Sequence, residues 1–171
     1  MHKLSIFVLI LIMTGCAGVV PVKAEDPVKA NLRAFCEEKS LLIQKLLFEV
    51  VDDNYELNSM IHEGVGDFVP VLFAQFKMEN LSIILYATLV EILRTAENDR
   101  VLSLTPTLLD QYIELIRYGM IKAKMFEGMI EGPNSRWLVS KDQLVLKVAA
   151  VHLKVAHDLL TDIKKGLEEL K

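Results

Sequence analysis

Cysteine is scarce in this chain: two among 171 residues, Cys16 and Cys36. A disulfide-stapled secreted module therefore has no framework to build on, and stability has to come from packing. Glycine and proline are sparse too, at eight and five. No Gly/Ser linker, low-complexity tract or clear internal repeat interrupts the sequence. Positive charge is in the minority, with 19 Lys and Arg against 23 Asp and Glu and a net charge of -4. The global electrostatic footprint of a nucleic-acid binder is thus missing, so no nucleic-acid partner is expected. Removing Lys3, or Lys3 and Lys23 together, makes the balance more acidic still.

Motifs that carry common chemistries are missing as well. There is no HExxH, no CxxCH, no GxSxG and no SxxK. None of His62, His152 and His157 follows a glutamate at the spacing of the di-iron Glu-x-x-His element. His152 and His157 stand about 140° apart round a helix, a poor chelating pair. Gly64-Val65-Gly66 is a lone GxG that reads as a hinge or helix C-cap. The acidic pairs Glu37-Glu38, Asp52-Asp53 and Glu168-Glu169 point about 100° apart on a helix, so they read as solvated faces and helix ends. No catalytic residue, metal ligand or cofactor is expected.

What the chain does have begins with residues 1–24, MHKLSIFVLILIMTGCAGVVPVKA. A basic start at His2 and Lys3, an apolar run from Leu4 to Met13 and then small residues make a secretory signal peptide. Two processing sites fit. Met13-Thr14-Gly15-Cys16 resembles the lipobox of bacterial lipoproteins in Gly15 and Cys16, and departs from it at Met13. On that reading residues 1–15 are removed, Cys16 is diacylated, and residues 16–26 form a short tether to a membrane. Ala17 after Cys16 then favours the outer membrane. Alternatively, residues 1–24 are cleaved after Val22-Lys23-Ala24, leaving a free periplasmic or secreted chain.

Residues 27–171 form a single domain of sufficient length for one core. Its pattern is helical throughout. Asp26 and Pro27 make a favoured N-cap and N1 pair. Leu32, Phe35, Leu42, Leu46 and Val50 recur at helical spacing, with Ile43 and Leu47 widening the stripe. Asp52-Asp53-Asn54 is the expected stop, with a short helix from Tyr55 to Glu63 after it. Asp67 caps a further segment with Pro70 in its first turn; whether Asp67 to Ala96 is one helix or two is open. Within it, Leu81, Ile84, Leu85, Thr88, Leu89, Ile92 and Leu93 share a face. The segment is nearly apolar all round and is expected at the centre of the bundle.

Thr105 and Pro106 open the next helix, whose inner stripe includes Leu109, Tyr112, Ile116, Met120 and Phe126. Gly119 and Ala123 permit close approach of a neighbour, and the helix ends around Gly128 to Gly132. Ser140 and Gln143 make a capping box with Val139 and Leu144 as its staple. The inner stripe of the last helix is expected at Leu144, Val148, Val151, Val155, Leu159, Ile163, Leu167 and Leu170. The fold class is all-α: an antiparallel bundle of four long helices plus one or two short ones.

Isolated features remain. Cys36 reads as a small buried residue. Met120, Met125 and Met129 do not share one face, and read as core filling. Lys147 and Lys154, with Lys141, read as an ordinary charged outer face with anionic lipid heads as the sharper alternative. Asn80 matches a glycosylation sequon and reads otherwise as a helix cap. Arg136 and Trp137, in the loop after Glu131, are the best candidate for a partner contact, against a lid over the bundle end. The combination points to an exported, membrane-tethered, non-catalytic helical protein that binds a protein partner in the cell envelope. A second expectation is a small apolar ligand or lipid held between helices, and a third is a freely secreted bundle.

Overall fold

The computed structural model describes residues 26–65, 69–98, 105–130 and 140–170, and all of its secondary structure is helical. Four long helices carry it: α1 Pro27–Met60, α2 Val69–Asn98, α3 Thr105–Ile130 and α4 Ser140–Glu169. None of them is long and apolar enough to cross a membrane. The signal-peptide segment, the tether below Asp26, and the expectations at Asp67, Val139, Arg136 and Trp137 lie outside the described residues.

α1 begins as its sequence dictates. The Asp26 carboxylate accepts from the Val28 N–H at 3.0 Å, and Pro27 occupies the first turn, where an N–H has no helical partner. The expected stop at Asp52-Asp53-Asn54 does not occur. These residues cost a few tenths of a kcal/mol each in a helix, and none has proline's missing donor. The buried row Leu46, Val50, Asp53, Leu57 and Met60 carries the helix across them. The separate short helix is therefore absorbed into α1, which continues into one π-helical turn, Ile61–Val65. α2 is a single helix, with Pro70 in its first turn.

Cross-helix contacts set the directions. Lys39 meets Asp162 at 2.7 Å and Asp53 meets His152 at 2.5 Å, so α4 runs antiparallel to α1. Asp110 meets Lys164 at 2.5 Å, and a side chain at Gly119 would touch Leu153, so α3 also runs antiparallel to α4. α2 and α4 each pack on all three other helices, while α1 and α3 face each other across the longer diagonal.

The core is a heptad seam. α2 buries Met78, Leu81, Leu85, Thr88, Ile92 and Thr95, and α4 buries Leu146, Ala149, Leu153, Ala156, Leu160 and Ile163. Alternating steps of three and four place such rows in facing holes of neighbouring helices. The α4 seam meets the expected stripe at Ile163 and Leu167, with Leu159 and Leu170 packed against the core, and departs from it nearer the start of the helix. Leu144, Val151 and Val155 are exposed, and Ala149 and Ala156 are buried in their place. Small side chains let the backbones approach, so the seam follows the alanines rather than the bulkiest residues. Leu42 and Leu93 likewise face outward, at 43% and 41% exposure. Nor is α2 enclosed by its neighbours, since Phe76, Ile83 and Tyr86 stand well exposed on it.

Buried hydroxyls are satisfied locally. Ser40 donates to the Glu37 carbonyl, Thr88 to that of Ile84 and Thr95 to that of Glu91, each at 2.8 Å. Such back-bonding removes the cost of an unpaired group in the core. At one end of the bundle Phe35 lies over the backbone of α4, and a methyl group at Gly166 would sit 2.4 Å from its ring.

Candidate functional site

Three features stand out: a buried polar pair, a lysine enclosed by aromatic rings, and an outer apolar face. The polar pair joins α1 to α4. Asp53 occupies a seam position between Val50 and Leu57 and is 7% exposed. Its Oδ2 lies 2.5 Å from His152 Nδ1, while Glu49 Oε2 approaches His152 Nε2 at 3.5 Å. Burial holds the Asp53 carboxyl above the usual carboxylate range. The His152 hydrogen bond and charge oppose that shift, and Asp52 and Glu49 reinforce it. Beside it, Asn54 buries Oδ1 without a donor among the described residues.

With a carboxylate at each ring nitrogen, His152 is held as a clasp between two helices. The Asp53 contact at Nδ1 is the short one, and the Glu49 contact at Nε2 is an ion-pair distance of 3.5 Å. The histidine pattern alone did not reveal the pair, because its members are distant in sequence. The available signal was Asp53 itself, falling in register with Leu46, Val50, Leu57 and Met60. Among the described residues no group of three His, Cys, Asp or Glu is placed to hold a metal ion.

Lys77 of α2 points into the space beside α3. Its Nζ lies 5.3 Å from the Phe73 ring centroid, 5.4 Å from that of Phe76 and 5.3 Å from that of Tyr118. Gly119 makes room for its stem, since a Cβ there would lie 3.4 Å from Lys77 Cδ. Next to it, a groove of about 320 Å³ runs between α2 and α3, bordered by Ile84, Leu115 and Ile116.

The outer face belongs to α1 and α2. On α1, Leu41, Phe48 and Tyr55 recur one heptad apart and Val51 stands beside them; Phe48 is 71% exposed. α4 packs on the flank of α1 that carries Lys39 and Asp53, so Val51 lies on the opposite flank, towards α2. On α2, Lys77 and Ile84 border α3, so Tyr86 and Leu93 lie towards α1. α1 and α2 pack along each other, so these two rows lie on neighbouring helices. The result is a two-helix apolar strip. Glu37, Glu79 and Glu97 are exposed along it.

The remaining sequence candidates sort as follows. Cys36 is fully buried and free. Burial, helped by the charge of Glu37, pushes its thiol up to about 11. Iodoacetamide at pH 8 should therefore leave Cys36 unmodified in the native chain and alkylate it in guanidinium, a rate difference of at least ~100-fold by mass spectrometry. Met120 packs partly buried against the core. Lys154 is engaged by Asp158 at 2.5 Å, on the exposed side of α4. Asn80 is not a cap. It lies within α2 and donates to the Phe76 carbonyl at 2.7 Å. Cys16, Arg136 and Trp137 lie outside the described residues. Comparison of the chain with family models, with curated proteins and with solved structures yields no match.

Proposed function

We propose that this chain is an exported, non-catalytic helical protein, held at a bacterial membrane by a diacylated Cys16, and that it docks a protein partner of the cell envelope. The observation that carries the reading is the strip of Leu41, Phe48, Val51 and Tyr55 on α1 with Tyr86 and Leu93 on α2, all exposed. Scattered surface apolar residues need no explanation, but exposed apolar and aromatic residues recurring along one face of neighbouring helices suit a docking surface. Aromatic residues at its middle are the usual anchors of an interface. Exposed Glu37, Glu79 and Glu97 fit a partner whose apolar patch has a basic rim. Arg136 and Trp137 remain candidates for a second contact, and outer-membrane placement follows the Ala17 reading.

Two measurements test this. Intact mass of the protein from its native host should show an acylated chain beginning at Cys16; an unmodified start at Glu25 would establish the freely secreted alternative. Crosslinking in cells should trap a partner with the wild type. The substitutions Phe48→Glu and Tyr86→Glu together should lose it while changing stability by no more than ~1 kcal/mol, as exposed positions do. Undiminished crosslinking in the double variant would remove the strip as the docking face.

A further inference from the structure

We propose that the groove between α2 and α3 is a binding site for a single-chain fatty carboxylate, with Lys77 holding the headgroup. This site is separate from the outer α1–α2 strip and does not depend on it. The argument starts from an unusual cation. Around the bundle, Lys39, Lys154 and Lys164 each sit within 2.7 Å of a carboxylate oxygen. Among the described residues Lys77 has no such partner. It has three aromatic rings within 5.4 Å of Nζ.

Rings stabilise an ammonium through their quadrupoles but accept no conventional hydrogen bond, so its N–H donors are left to solvent or to a ligand. Burial accordingly lowers the Lys77 pKa, and no neighbouring charge contributes to that shift. The site holds a cation at a cost that an incoming anion would relieve.

The groove supplies the rest of the ligand's outline. Lys77 is its one charged lining residue among those described, and Asn80 and Tyr112 are its polar companions. The remaining surface is apolar, from residues such as Ile84, Leu115 and Ile116. A volume of about 320 Å³ lies at the small end of the ~300–1,000 Å³ typical of ligand pockets. One cation matches one monoanionic head, and one narrow apolar groove matches one alkyl chain. A two-chain phospholipid exceeds the groove, and a dianionic phosphate would ask for a second cation in the lining. Lys122, 5.6 Å from the Tyr118 ring that Lys77 also meets, is not part of the lining.

The test uses dodecanoate and its neutral counterpart dodecanol as probes, titrated calorimetrically into the purified chain. Wild type should bind dodecanoate at least ~10-fold more tightly than dodecanol, because only the acid supplies an acceptor for Lys77. Lys77→Met should erase that preference while retaining dodecanol binding, and its Tm should be unchanged or higher, since an unpaired cation is lost. Lys77→Arg should keep the preference. Absence of dodecanoate binding, equal affinity for the two probes in wild type, or a preference surviving in Lys77→Met would each overturn the proposal. The wild-type comparison stands even where a variant fails to fold.

Discussion

Replacing Asp53 with alanine is expected to lower the unfolding free energy by about 3–5 kcal/mol, whereas replacing Asp53 and His152 together with leucine leaves it near the wild-type value or above it. The Asp53 carboxyl and the His152 ring between α1 and α4 were taken out of water at a cost that their contact offsets. Removing Asp53 alone leaves His152 at 14% side-chain exposure with only the longer contact to Glu49 and a gap where the carboxylate was. Removing both polar partners leaves a leucine in an established seam position opposite another. Urea denaturation of wild type, both single variants and the double variant gives the coupling directly. Single variants that cost no more than the double one would show that the pair does not act as a unit.

The same pair sets a pH dependence. The folded-state pKa of Asp53 lies above its unfolded value, because burial outweighs the His152 interaction. Between those two values the folded chain binds more protons than the unfolded one. Stability contributed by the protonated acid is therefore present below the ordinary carboxylate pKa of about 4, and is lost as pH rises through the folded value. Asp53→Asn should remove that slope. Denaturation midpoints measured from pH 4 to pH 7 check the sign: the wild-type curve should fall relative to that of the variant, and a rising difference would contradict it.

Leu160→Ala should cost about 2–5 kcal/mol, and Val155→Ala less than about 1 kcal/mol. Leu160 is fully buried between Ala156 and Ile163 in the α4 seam, while Val155 is 44% exposed. Deleting the first leaves a cavity among packed neighbours, and deleting the second trims a surface. Thermal unfolding of the two variants side by side discriminates the observed seam from the alternative stripe through Val148, Val151 and Val155. Equal losses would mean that both faces of α4 are engaged.

That comparison also marks how far the sequence alone could be read. Helix class, four long elements and the starts at Asp26-Pro27, Thr105 and Ser140 rest on local rules, and local rules survive folding. The face of α4 does not, because two stripes of apolar residues compete on it. Choosing between them requires knowing that Ala149 and Ala156 allow a close neighbour, which is a property of the pair of helices. The misplaced stop at Asp52-Asp53-Asn54 has the same origin: Asp53 weakens the helix slightly as a monomer and is retained by a partner on α4. Lys77 gave no signal as one lysine among many, since the rings around it come from two helices. Phe73 and Phe76 are close in sequence to Lys77; Tyr118 is brought there by the antiparallel run of α3.

The contact of Phe35 with the backbone at Gly166 places the start of α1 and the end of α4 at the same end of the bundle. Mechanically, that is an unzipping geometry. A pull on the start of α1 and the end of α4 would separate the two helices turn by turn from Phe35 upward, loading one layer of contacts at a time, where a shearing geometry would load them all together. The Lys39–Asp162 ion pair would be the first polar contact such a pull meets, and the Asp53–His152 clasp, further along the same interface, the next. Adjacent ends also suit the chain to circular permutation, since a short linker could join Leu170 to Asp26 without crossing the bundle.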